Sequence, residues 1–176
     1  MLSKNQKGDA PMTKTFVFNA LPQSLDELKA LPEADLQDPF KTAALTVLVL
    51  SVYPKNKDAA LEMLEFLSGP AGVSAYDKSF IKERFSDKDY VPRSFFKGAA
   101  VDNNYEPSKP YTVSVSDNPY SYSNENYATL YLTSGGADNP RPVTMRQKPS
   151  TGEWFINQYG GLLMGIKIPT ALDPWA

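Results

Sequence analysis

Two residue types are absent altogether: the chain has no cysteine and no histidine. Without cysteine there is no disulfide, no thiolate nucleophile and no Cys/His zinc site. Without histidine a Ser–His–Asp arrangement is impossible, as is any imidazole acid–base step. An enzyme built from this chain must use carboxylates, Lys, Tyr, Arg or an all-oxygen metal site. The sequence carries no recognisable catalytic motif, so it leans away from catalysis and implies neither a cofactor nor a metal. Long apolar runs are also missing, and no stretch approaches the roughly 18 residues that a membrane span needs. There is no basic excess either. With 18 Lys and Arg against 20 Asp and Glu, the formal net charge is −2. That balance lacks the electrostatic footprint of a nucleic-acid binder. The opening MLSKNQKGDAP is positively charged, but no apolar run follows, so it does not read as a secretory signal. Cytoplasmic residence is the expectation.

What is present suits one soluble domain. Apolar residues make up 41% of 176, enough for one sizeable core. Residues 1–12 are polar and aperiodic and read as a disordered lead; 13–176 read as a single α+β domain. Thr13 to Asn19 is β-branched and aromatic, a short strand. Ser24 and Glu27 form a capping-box pair ahead of Leu25, Leu28 and Leu31. Asp38-Pro39 opens a stronger helix with the acid at the N-cap. From Ala43 to Val52 nearly every residue is apolar, as in a helix buried on all sides, although its β-branched residues leave a strand open. Asn56 caps a third helix, with Ala60, Leu61, Leu64 and Leu67 inward. Ser74 and Asp77 cap a fourth, with Tyr76, Phe80, Ile81 and Phe85 at helical spacing. Residues 86–110 are aperiodic, and Phe95 and Phe96 argue that they pack.

From Tyr111 the period becomes two. Val113 and Val115, then Ala128, Leu130 and Leu132, then Val143 and Met145, then Trp154 and Ile156 alternate with polar residues. The pattern predicts N-terminal helices packed on a C-terminal four- to five-stranded antiparallel meander, one face dry and one polar. The dry face of the Arg141–Ile156 hairpin should meet the buried helix.

The strings DPFKTAALTVLVLSVYP, YVPRSFFKGA, SDNPYSY, SGGADNPRPV, the Trp154 strand and the closing DPWA resemble an uncharacterised bacterial domain family found mainly in Gram-positive gut bacteria. The resemblance covers about residues 13–176 and implies a bacterial, cytoplasmic protein; it carries no activity and no site residue. Helices followed by a curved sheet are also similar to the NTF2-like, cone-shaped fold, an analogy of fold alone. In that fold sheet and helices enclose a pocket.

Several residues are candidates for binding. In the turn Asp117 to Tyr127, Tyr120 and Tyr122 beside Asp117 and Asn118 can stack on and hydrogen-bond a sugar or another polar ring; the alternative is an Asx-turn whose tyrosines cover the sheet edge. Ser134, Gly135 and Gly136 with Arg141 can form an anion nest, or the glycines can simply supply positive φ. Arg93 pins its long loop to a carboxylate such as Asp87 or Asp89. Asp102, Asn103, Asn104 and Glu106 offer oxygen ligands without an EF-hand pattern. Thr129, Tyr131, Thr144, Arg146 and Asn157 define the polar sheet face. The reading that follows is a non-catalytic binding module for a protein partner or small polar ligand on that face. A pocket-type enzyme using Asp/Glu and Tyr, and an oligomer-forming structural protein, are the alternatives; oligomeric state stays open.

Overall fold

The computed structural model describes residues 11–176, so residues 1–10 of the expected disordered lead lie outside the described residues. Five strands form one antiparallel sheet in the order β1-β2-β3-β4-β5, with β1 Thr13–Phe18, β2 Tyr111–Ser116, β3 Tyr127–Leu132, β4 Arg141–Gln147 and β5 Trp154–Gln158. Four helices lie between β1 and β2: α1 Leu25–Lys29, α2 Pro39–Leu50, α3 Lys57–Ser68 and α4 Ala75–Phe85. The protein is therefore α+β, with its helices N-terminal and most of its sheet C-terminal.

The caps follow the sequence chemistry closely. Asp38 accepts from the Phe40 N–H at 2.9 Å and Pro39 occupies the first helical position, where its missing N–H costs nothing. Ser74 and Asp77 form a reciprocal box. At α1 the box is half made: Ser24 accepts from the Glu27 N–H, but the Glu27 carboxylate takes the Gln23 N–H instead of that of Ser24.

The apolar run from Ala43 resolves as helix, and α2 is buried on nearly every side. Leu45, Leu48 and Val49 sit within one cluster with Val113, Leu130 and Met145 from the sheet. The interior is thus filled with side chains where the cone-fold analogy led us to expect a pocket. The hairpin face meets α2 as expected. Trp154 is buried, and the Thr42 hydroxyl donates to its carbonyl at 2.7 Å. On α3 the inward stripe is Ala60, Met63, Leu64 and Leu67, with Leu61 only half-buried.

Two irregularities shape the sheet. The β2–β3 ladder holds only Val115 with Leu132 and Ser116 with Tyr131. Where the strands part, other segments take up their backbone groups, as buried or half-buried polar groups require. The Lys97 N–H donates to the Thr112 carbonyl, and the Thr129 N–H donates to the Ser121 carbonyl, both at 2.9 Å. The second bond lays the 117–126 turn against β3. Between β4 and β5 the register shifts at Thr144/Met145: β5 carries one extra residue there, Asn157, so that Met145 stands opposite Ile156 but Thr144 opposite Gln158. Bulges re-aim side chains and bend the strand. The 86–110 connection packs well, burying Tyr90, Val91, Phe95, Phe96 and Tyr105.

Candidate functional site

The tyrosine-rich turn divides its residues between two places. The Asp117 carboxylate accepts from the Met12 N–H at 2.7 Å and from the Tyr122 hydroxyl at 3.1 Å. Asn118 makes an Asx-turn, accepting from the Tyr120 N–H at 2.8 Å. Tyr122 turns toward α2 and is half-buried. Burial, then the charge of Asp117, push its phenol well above the usual tyrosine value. Tyr120 goes the other way and is 79% exposed.

Ser134, Gly135, Gly136 and Arg141 do not converge. Ser134 is buried and its hydroxyl donates to the Ser94 hydroxyl at 2.8 Å. The Gly135 N–H donates to the Ser94 carbonyl, and the Gly136 N–H to the Ser134 hydroxyl. Both amides of the expected nest are therefore consumed inside the fold. Neither glycine has the positive φ expected for a hairpin loop; each instead permits close approach. A side chain on Gly135 would strike the Ala99 carbonyl, and one on Gly136 the Tyr105 hydroxyl. Arg141 donates to the Gly165 carbonyl at 2.7 Å, tying down the C-terminal segment.

Arg93 holds its loop, donating twice to the Asn104 carbonyl and pairing with Asp89 at 3.6 Å. Two of the candidate oxygen donors of the 102–106 stretch are engaged within the fold. Asn103 accepts from the Ala100 and Glu106 amides, and Asp102 accepts from Thr170. Among the described residues no three His, Cys, Asp or Glu side chains gather as a metal cluster.

The polar sheet face is where geometry concentrates. Thr129, Tyr131 and Thr144 are half-buried, and Arg146 and Asn157 are exposed. Three depressions open on it and all include Asn157. One, of about 360 Å³, lies between Tyr120 and Tyr127 and has Thr129 and Thr144 in its lining. A second, of about 390 Å³, runs from Thr144 and Gln158 to Tyr76, Phe80 and Tyr159. These two share Thr144, Asn157 and Gln158. The extra residue in β5 is what aligns Thr144 with Gln158 at that junction. The third, of about 210 Å³, lies toward Arg146, Phe155 and Pro70. Gly69, at φ +60°, lets the chain pass over the Phe155 ring there, a backbone conformation that other residues rarely adopt. Arg146 lies 5.7 Å from the Tyr127 ring centre, within cation–π range.

Tyr76 was expected on the inward stripe of α4, but it is 76% exposed. Only Ile81 and Phe85 of α4 are buried, so its first turn projects beyond the core. There Tyr76 stacks on Phe80 with ring centres 6.3 Å apart. Tyr159 was not singled out from the sequence. Its hydroxyl is buried with no partner among the described residues. Burial, then the charge of Asp77, raise its phenol above the usual value. No sequence signal marks it, because its environment comes from α4.

A further depression of about 360 Å³, which does not include Asn157, lies against Lys14, Asp38, Tyr122 and Trp154. Its cation and carboxylate are spent on each other: Lys14 and Asp38 pair at 2.6 Å. Among the described residues the only carboxylates lining these four depressions are Asp38 and Asp77, and Asp77 is bonded within its helix cap. No helix among the described residues is long and apolar enough to cross a membrane.

A family model described as a domain of unknown function (DUF6935) matches residues 20–170. No curated protein and no solved structure matches the chain. An uncharacterised domain family is what the sequence motifs resemble.

Proposed function

The chain belongs to the DUF6935 domain family, and from that premise we propose a non-catalytic binding module that receives a protein partner or small polar ligand on the polar face of its sheet. The observation that carries this reading is the meeting of three depressions at Asn157. Concave sites with convergent polar groups are the usual places for ligands. The face supplies hydroxyls, amides and aromatic rings. Neither carboxylate in the depressions is free to act as a base, which favours binding over acid–base chemistry. The proposal includes a bacterial origin, drawn from the resemblance, and cytoplasmic residence, where a fold without disulfides is at home. Fractionation of a tagged native protein tests the location.

Amide chemical-shift mapping of the full ¹⁵N-labelled chain against a panel of sugars, nucleotides, amino acids and organic acids tests the binding face. Hits should move Thr129, Thr144 and Asn157, and Asn157→Arg should abolish them. Hits that map elsewhere and survive Asn157→Arg would overturn the reading.

A further inference from the structure

Within that binding reading, on which this inference rests, we propose that the trough formed by the two depressions sharing Thr144, Asn157 and Gln158 takes a neutral oligosaccharide. Where the two depressions meet, Thr144, Asn157 and Gln158 present a hydroxyl and two carboxamides; Thr129 and Asn124 extend this polar floor at one end, and Pro142 and Met164 add apolar surface at the other. Each hydroxyl and carboxamide presents both donor and acceptor capacity, as does each hydroxyl of a sugar ring, and a carboxamide can bridge two neighbouring sugar hydroxyls.

The rims are aromatic. Tyr120 stands at one end, 79% exposed, and Tyr76 at the other, 76% exposed. Tyrosines this open contribute little to the core, and each combines an apolar face with a polar tip. The C–H face of a pyranose stacks on such a ring while its hydroxyls reach the floor. Tyr76 is held ready for this by its stack on Phe80.

Charge argues against other ligand classes. Among the described residues no Lys or Arg lines these two depressions, and the second includes the Asp77 carboxylate. A phosphate or carboxylate ligand would find no cation in the lining and one repelling charge; the guanidinium groups of Arg146 and Arg84 sit against the rings of Tyr127 and Phe80 instead. A peptide backbone recognised by a sheet pairs with a strand edge, whereas this trough lies across strand faces and offers side chains.

Size sets the length of the ligand. The depressions, about 360 and 390 Å³, each fall within the common range of about 300–1,000 Å³ for ligand sites. They adjoin through three shared residues, so the trough is two subsites in line, suited to a chain of sugars.

The test titrates the full ¹⁵N-labelled chain with maltohexaose, cellohexaose, xylohexaose and chitohexaose, with nucleotides and amino acids in parallel. At least one hexasaccharide should move the signals of Thr144, Asn157 and Gln158. Tyr120→Ala and Tyr76→Ala should each weaken it by about tenfold. Trp175→Ala, at a residue that is 94% exposed and lines neither depression, should leave affinity unchanged. If no hexasaccharide moves these signals while another polar probe does, the oligosaccharide inference falls and the binding face stands. If no probe moves them, the oligosaccharide inference falls together with the small-ligand form of the binding reading. Sugar binding that ignores both tyrosine substitutions also overturns the inference.

Discussion

Replacing Trp154 with alanine tests how the sheet is anchored to α2. The backbone of Trp154 is clamped from two sides. Its N–H donates to the Leu36 carbonyl at 2.7 Å, and its carbonyl accepts from Thr42 at 2.7 Å. Those bonds survive the substitution, so the loss comes from the side chain. A buried tryptophan removes about 150–250 Å² from water, worth about 4–6 kcal/mol at 25 cal/mol per Å² as an upper estimate. Truncations of this kind cost about 3–5 kcal/mol. Here the side chain borders the depression beside Lys14 and Asp38. Water can enter the space left behind, which removes part of the cavity penalty. We therefore expect the low end, about 3 kcal/mol, and a fall in Tm of about 6–12 °C for a chain of this size. Urea melts followed by far-UV circular dichroism give the number. A loss under about 1 kcal/mol would refute the inward assignment of Trp154 and the packing built on it.

Thr42→Val keeps the shape of the side chain but leaves the Trp154 carbonyl without its donor; it should cost about 1–3 kcal/mol, more than Thr42→Ser, in the same melts. Tyr159→Phe removes a buried hydroxyl that has no partner among the described residues and should stabilise the fold by about 1 kcal/mol, whereas Tyr122→Phe loses the bond to Asp117 and should destabilise it. Both phenols have raised values in the folded state, so the unfolded chain ionises first. Their contribution is complete below the ordinary tyrosine value of about 10 and is lost as pH rises above it. Urea midpoints between pH 8 and 11 should fall steeply in the parent chain and less steeply in the Tyr122→Phe, Tyr159→Phe double variant. Gly136→Ala drives a methyl into the Tyr105 hydroxyl, which donates to the Lys167 carbonyl at 2.6 Å; hydrogen exchange should show the 160–176 segment opening more readily than in the parent.

Much of the fold was legible because its signals are local. The Asp38-Pro39 cap and the period-two alternation from Tyr111 to Ile156 each lie within a few residues, and both specify what is found. The expected anion nest misled for the opposite reason. Ser134 and Gly135 are occupied by Ser94, 40 residues away in the case of the hydroxyl pair, and nothing near the glycines announces that partner. The same holds for Tyr76. Its spacing fits an inward stripe, but burial depends on where the first turn of α4 sits relative to the core. The polar face was readable as a face from Thr144, Arg146 and Asn157. Its focus on Thr144, Asn157 and Gln158 was not, because that depends on a register shift between β4 and β5. Tyr120 and Tyr122 look equivalent in sequence, yet the bond between Thr129 and Ser121 lays their turn on β3 with the two rings pointing to different depressions.

Hydrogen–deuterium exchange on the full chain, with and without the highest-affinity ligand from the panel, tests the central claim most directly. The account predicts protection in peptides covering 127–132, 141–147 and 154–159, where the depressions meet at Asn157. Protection confined to the depression of Lys14, Asp38 and Tyr122, with the outer face unchanged, would contradict it.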